Sequence, residues 1–311
     1  MFEHFKKIVE EYNSIILLSH FNPDGDAYGS QIGLREVLKA TYKDKKVYAV
    51  GSGLKDYFSY IGEMDEVSDE TFTNSLVILL DANELYRFED QRLHTAKELF
   101  LIDHHVKNVE HTIPKILDHN VSSTCELVTR IVKSLNFKIS KKAANALLLG
   151  IITDSCRFQY STNYQELFKT AAFLCKKGAN PDQIFKLINV VKPIDIKLRS
   201  FVSSHYVIED GLIYVKFEAS DLKKLNVTAN KALSFINSIG NIEGYPIWMM
   251  YVKEENGDVI FEFRSSKYVV QPVAFKYGGG GHLLAAGLTI KNCSEEQIET
   301  IKKDLKNLLE K

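Results

Sequence analysis

Four uninterrupted apolar runs in the first third of the chain set the strongest limit on its fold. They are SIILLS at residues 14–19, KVYAV at 46–50, LVILL at 76–80 and LFLI at 99–102. Each is too short for a globular helix and lacks the polar alternation of a half-exposed strand. Each therefore reads as a strand buried on both faces. Helix-like periodicity occupies residues 30–41, 124–136, 141–152 and 165–177, and Pro181 opens a further short helix. Strands alternating with helices predict an α/β domain built on a doubly wound, mainly parallel sheet.

The pattern changes after residue 200. IYVKFE at 213–218 reads as a strand. PIWMMYVKEENGDVIFEFRSS reads as two strands joined at Asn256-Gly257, a hairpin turn signal. Ser294-Glu295-Glu296-Gln297 fits a capping box that opens a last helix. The expected division is a catalytic domain over 1–185, a linker over 186–200 around Pro193, and a smaller α+β domain over 201–311. A length of 311 residues suits two domains.

Charge narrows the partners. Lys and Arg number 39 against 40 Asp and Glu, a net charge of −1. A protein that coats long nucleic acid is usually strongly basic, so an anionic partner here should be small or gripped by a local patch. The four cysteines show no CxxC spacing and read as reduced thiols of a cytosolic protein. The opening MFEHFKKIVEEY lacks the apolar core of a signal peptide, and no apolar run approaches the ~20 residues of a membrane span. A soluble, cytoplasmic protein without a membrane partner is expected; the assembly state stays open, a homodimer among the options.

Chemistry-bearing residues collect where the strands end. HFNPDGDAYGS follows the first strand directly and places His20, Asp24 and Asp26 within seven residues. In open α/β sheets, sites are built at the carboxyl ends of strands. Two hard carboxylates and an imidazole suit a divalent metal, although an Asx-rich turn capping the next helix would use the same residues. Asp81 follows LVILL, and Asp103-His104-His105 follows LFLI. One imidazole of that pair suits a metal and the other a substrate, with Asp103 fixing a ring tautomer. Asp154 ends an apolar helix, where the helix dipole disfavours a carboxylate and a bound cation would relieve the conflict. A plain C-terminal turn residue is the competing reading.

Together His20, Asp24, Asp26, Asp81, His104 and Asp154 exceed the needs of one ion. They fit two ions about 3.5–4 Å apart that share a carboxylate, the arrangement used in phosphoester hydrolysis. Mixed imidazole and carboxylate ligation suits manganese, iron, cobalt or zinc better than calcium.

GGGGHLLAAG at 278–287 is the second unusual segment. Four glycines would let backbone N–H groups form an anion-binding nest, with His282 as a further donor and a helix-like AAG continuation. No acidic residue occurs from Phe263 to Ser294, whereas Arg264, Lys267, Lys276 and Lys291 do. Arg264 alternates with Phe261 and Phe263, so it should face away from the apolar side of its strand.

These motifs resemble the DHH phosphoesterase superfamily over essentially the whole chain. HFNPDGDAYGS, Asp81, Asp103-His104-His105 and Asp154 match its four N-terminal motifs in order. Arg264-Ser265-Ser266 and GGGGHLLAAG match the DHH-associated C-terminal domain. Within the superfamily the chain is most similar to the bacterial nanoRNase/pAp phosphatase group. One departure is Leu283-Leu284 after His282, where relatives often carry a proline or a polar residue.

The resemblance implies that His20, Asp24 and Asp81 hold one metal. Asp26, Asp81, His104 and Asp154 would hold the other, both ions most readily Mn(2+). His105, with Asp103 behind it, would act on the scissile phosphate or the leaving group. Arg264, Ser265, the Gly279, Gly280 and Gly281 backbone and His282 would hold the substrate, with Ser123 and Thr124 supporting the site. It further implies a cleft between the domains as the site, and short RNA and 3′-phosphoadenosine 5′-phosphate (pAp) as substrates. The rival readings are a soluble pApA or cyclic di-AMP phosphodiesterase, and a nucleotide-binding sensor without catalysis. The complete ligand set argues against the sensor.

Overall fold

The computed structural model describes residues 2–52, 58–105 and 112–309. They form two compact units, over 1–190 and 191–311.

In the first unit, strands β1 (Ser14–Leu18), β2 (Lys46–Ala49), β3 (Leu76–Leu80), β4 (Glu98–Asp103) and β5 (Lys115–Leu117) form an all-parallel sheet in the order β2-β1-β3-β4-β5. The helices are α1 (Glu3–Glu11), α2 (Gly25–Thr41), α3 (Asp69–Thr73), α4 (Thr124–Ser134), α5 (Lys141–Asp154), α6 (Tyr164–Lys176) and α7 (Pro181–Ile188). The continuous apolar runs are explained by two cores. Ile15, Leu17, Leu76, Ile78 and Leu80 face one core with residues of α1, α2, α4 and α5. Ile16, Leu18, Val77 and Leu79 face the other with Phe72, Phe88 and Leu93. Side chains alternate between the faces of a strand, so a strand covered on both sides needs apolar residues at every position. The sheet is doubly wound, as expected.

Helix α2 starts five residues before the expected Ser30. Asp24 caps it, accepting from the N–H groups of Asp26 (2.9 Å) and Ala27 (3.0 Å). The DGD motif therefore lies in the first helical turn.

The segment around Pro193, expected as a linker, is helix α8 (Pro193–Ser204), with proline in its first turn. Leu198 and Val202 of α8 are buried in the second unit's core. That unit holds β6 (Tyr206–Glu209), β7 (Leu212–Phe217), β8 (Ile247–Lys253), β9 (Val259–Ser265), β10 (Gly280–His282) and β11 (Ala285–Ile290). They form a mixed sheet in the order β10-β11-β9-β8-β7-β6. Helices α9 (Ala219–Leu225), α10 (Ala229–Leu233), α11 (Gln271–Lys276) and α12 (Glu295–Lys306) complete the unit. The β8–β9 hairpin turns at the expected place, with Gly257 at φ +85°, and α12 carries the expected Ser294/Gln297 capping box. The AAG segment is not helical: residues 285–290 form β11, paired to β9 on one side and β10 on the other.

Candidate metal centre

The strand order reverses between β1 and β3, which lie side by side after β1 has paired with β2 on its other edge. At such a switch point the carboxyl ends of neighbouring strands open a crevice. His20 and Asp81 meet there, with His20 Nε2 3.6 Å from Asp81 Oδ2. His20 Nδ1 donates to the Phe21 carbonyl at 2.9 Å, which leaves the Nε2 lone pair for a ligand bond.

The end of β4 contributes His104. Its Nε2 lies 3.6 Å from Asp81 Oδ1, 3.4 Å from Asp154 Oδ2 and 3.9 Å from Asp26 Oδ2. The N-terminus of α4 sets the carboxylates. Thr124 and Cys125 donate their backbone N–H groups to Asp26 at 2.6 and 2.8 Å, and the Thr124 hydroxyl donates to Asp81 Oδ1 at 2.9 Å. Ser123 is the N-cap of α4, accepting from the Glu126 N–H.

All six expected ligands thus converge. His20, Asp24 and Asp81 offer one trio of ligand atoms within 4.8 Å of one another, and Asp26, His104 and Asp154 offer a second. Asp81 faces both trios, with one oxygen toward His20 and the other toward His104.

Burial first, and then the charges of Asp26, Asp24, Asp154 and Asp103, push the Asp81 carboxyl well above the usual range. Burial also raises Asp26. Burial and the charges of Asp26 and Asp24 push Asp154 up to about 9. Burial lowers His104 below its usual range, against the opposing pull of Asp26, and so favours the neutral imidazole. Among the described residues, no Lys or Arg forms an ion pair with Asp24, Asp26, Asp81 or Asp154. Four carboxylates and two imidazoles without a compensating cation fit a pair of divalent ions.

His105 stands beside Asp81 and His104, its Nδ1 3.8 Å from Asp81 Oδ1, and with them offers a third group of ligand atoms within 4.8 Å of one another. Its Nδ1 is 2.7 Å from Asp103 Oδ1, and this bond raises the imidazole above its usual range. Burial would raise Asp103, but the bond to His105 outweighs it and holds the carboxylate low. Asn83 donates to the other Asp103 oxygen at 3.0 Å. Asn83 escapes sequence reading, since a single loop Asn after Asp81 carries no periodicity.

A glycine stripe also sets the site. Gly25, Gly29 and Gly33 recur every four residues, along one face of α2. A Cβ there would lie 2.2 Å from Thr153 Oγ1, 2.6 Å from the Ala146 carbonyl and 2.6 Å from Leu147 Cγ, all on α5. On α5, a Cβ at Gly150 would meet Cys125 Sγ at 2.2 Å and Asp26 Oδ1 at 3.0 Å. Only hydrogen at these positions lets the helices carrying Asp26 and Asp154 approach this closely.

The second group of expected residues lies on the other unit. Arg264, Gly280, Gly281 and His282 line a groove of about 490 Å³ on the sheet, together with Glu262. The glycine run is not a free loop nest. Gly280–His282 form the edge strand β10, and a Cβ at Gly279 or Gly281 would collide with β11 at 2.3 and 2.5 Å. Arg264 faces away from the apolar side, as expected, but its guanidinium already bonds Glu262 (2.7 Å) and the Phe263 carbonyl (2.8 Å). Ser265 is not in the groove; its hydroxyl accepts from the Lys267 and Tyr268 N–H groups and holds the turn after β9.

Comparisons with known proteins agree with this layout. The DHH family N-terminal domain matches residues 14–151, and the DHHA1 domain matches residues 209–311. A Bacillus subtilis (strain 168) protein named bifunctional oligoribonuclease and PAP phosphatase NrnA is 33% identical over 306 residues, covering 97% of this chain and 96% of its own. A Mycoplasma genitalium protein of the same name is 31% identical over 303 residues, covering 95% and 94%. An exopolyphosphatase-related protein from Bacteroides fragilis shares the fold, with a TM-score of 0.88 at 24% identity over 100% of this chain and 97% of that one.

Proposed function

The chain belongs to the DHH family, and on that premise we propose that it is a two-metal phosphoesterase that hydrolyses short oligoribonucleotides and removes the 3′-phosphate of pAp. The observation that carries this reading is the pair of His/Asp trios meeting at Asp81, with no cationic side chain paired to their carboxylates. The relatives at 33% and 31% identity, matched over nearly their full length, supply the substrate class.

In this reading His20, Asp24 and Asp81 hold one ion, and Asp26, Asp81, His104 and Asp154 hold the other. Manganese suits the mixed nitrogen and oxygen donors. Two such ions, when bound, supply an activated water and neutralise charge on the phosphate. The Thr124 hydroxyl and the α4 N–H groups fix the carboxylates, so little reorganisation is needed on binding. His105, whose bond to Asp103 favours the protonated imidazole, donates a hydrogen bond to the phosphate or a proton to the leaving oxygen. Arg264, His282 and the open edge of the Gly280 and Gly281 backbone bind a further phosphate, Arg264 through the guanidinium edge that Glu262 does not use; the Gly279 N–H is already donated to the Ala274 carbonyl. Ser265 supports the turn beside them. Our reading also assigns the enzyme to the cytoplasm, which its four free cysteines support. Among the described residues, no helix is long and apolar enough to cross a membrane.

Turnover of pAp, pApA and cyclic di-AMP by manganese-loaded and chelator-treated protein tests the reading. Manganese-dependent release of phosphate from pAp is expected. Faster turnover of pApA or cyclic di-AMP than of pAp and short RNA would favour the rival phosphodiesterase, and binding without turnover would favour a sensor.

A further inference from the structure

Just past Asp154 the chain takes three consecutive non-glycine residues through the left-handed region: Cys156 (φ +49°), Arg157 (+61°) and Phe158 (+65°). L-residues normally enter that region singly, and strain of this kind collects at functional sites. Ser155 holds the turn. Its hydroxyl accepts from the Phe158 N–H at 3.0 Å, and its carbonyl accepts from Gln159 and Tyr160 at 2.9 and 3.0 Å.

The turn sets Phe158 against Phe168, with ring centroids 5.8 Å apart, and Phe168 lies 6.2 Å from Tyr164. Phe168 is 53% exposed and Tyr164 43%. Helices α5 and α6 pack together and are joined by this short turn, so the first turns of α6, which carry both rings, lie at the Asp154 end of α5. Two further bonds fasten the segment to the metal centre. The Thr162 hydroxyl donates to the Asn120 carbonyl at 3.0 Å, and the neighbouring His119 Nδ1 donates to the His104 carbonyl at 3.1 Å. Arg157, next in the chain to Phe158, is exposed. Its guanidinium bonds the neutral Asn189 side chain at 3.0 Å, and among the described residues it forms no ion pair.

Resting on the phosphoesterase reading, we propose that Phe168 and Tyr164, backed by Phe158, form a stacking platform for a base of the short RNA beyond the one nucleotide that pAp also offers, with Arg157 meeting the adjoining backbone. Exposed rings and an uncompensated cation match single-stranded nucleic acid, because every base offers a π-face and every link a negative charge. The αL turn ties the platform to Asp154 and so to the position of the reacting phosphate.

The test is the ratio of kcat/KM for a five-nucleotide RNA to that for pAp, which offers only one base. Phe168→Ala is expected to lower this ratio about tenfold, and Phe168→Trp to restore it. An unchanged ratio, or equal loss on both substrates, in a background where the wild type is active overturns the platform. A change in oligomeric mass with an unchanged ratio also overturns it, by assigning the rings to a subunit contact. A wild type inactive on both substrates overturns the phosphoesterase reading, and the platform falls with it.

Discussion

Asp81 is the residue on which the metal centre turns. It sits at φ +63°, in a region where Asp and Asn are tolerated better than other side chains. Its N–H still donates to the Ile102 carbonyl, so the chain leaves the sheet immediately after its last ladder bond. Asn should therefore keep the backbone and the shape while removing the charge that both trios use. We expect Asp81→Asn to fold normally, to weaken both ions in a calorimetric titration, and to lower turnover by roughly 10²–10³-fold. Loss of only one ion would show that the carboxylate is not shared. The place of Asp81 after a buried strand was legible in the sequence, and so was the convergence of His20, Asp24, Asp26 and His104, which follow neighbouring strand ends of a parallel sheet, with Asp154 at a helix end. The Asn83–Asp103–His105 chain was legible only in part, since nothing local says which loop amide turns back to a carboxylate.

At the scale of elements, the close approach of α2, α4 and α5 fixes the ligands. Gly150→Ala should destabilise the protein by about 1–3 kcal/mol, because the added methyl would strike Cys125. It should also weaken metal binding, since Asp26 Oδ1 lies beside the same spot. Chemical denaturation and metal titration check both effects, and a variant with wild-type stability and affinity would contradict the packing argument. Three elements were misread in the sequence for physical reasons. Helix α2 is buried almost all round from Gly25 to Leu34, so its first turns show no amphipathic period to mark a start. The Gly-rich β10 has one side chain, His282, too little to announce a strand. Its glycines answer to the closeness of β11, not to local flexibility. Pro193 was read as a break, yet at a first helical turn it is a starter.

At the scale of the whole molecule, a net charge of −1 hides a strong local imbalance. Without metal, burial and mutual repulsion make Asp81, Asp26 and Asp154 harder to ionise in the folded protein than in the unfolded chain. A carboxyl raised above its unfolded value lends its stability at low pH and loses it as pH rises. Metal-free protein should accordingly melt at progressively lower temperature from about pH 4 towards the Asp154 value of about 9. Manganese should flatten that slope, because the cation replaces the protons. A metal-free melting temperature that rises from pH 5 to pH 8 would contradict the charge assignment.

The same near-neutral balance bears on substrate length. Processive binding of a long strand needs a basic channel that meets many phosphates, with a steep salt dependence. Here one groove with Arg264 and His282, and one exposed Arg157, can meet only a few. The most direct measurement is kcat/KM with manganese over RNAs from two to about twenty nucleotides, with pAp alongside. The account predicts a maximum at about two to five nucleotides, a decline beyond, and phosphate release from pAp in the same preparation. A value that climbs steadily to twenty nucleotides, or full activity after chelation, would contradict it.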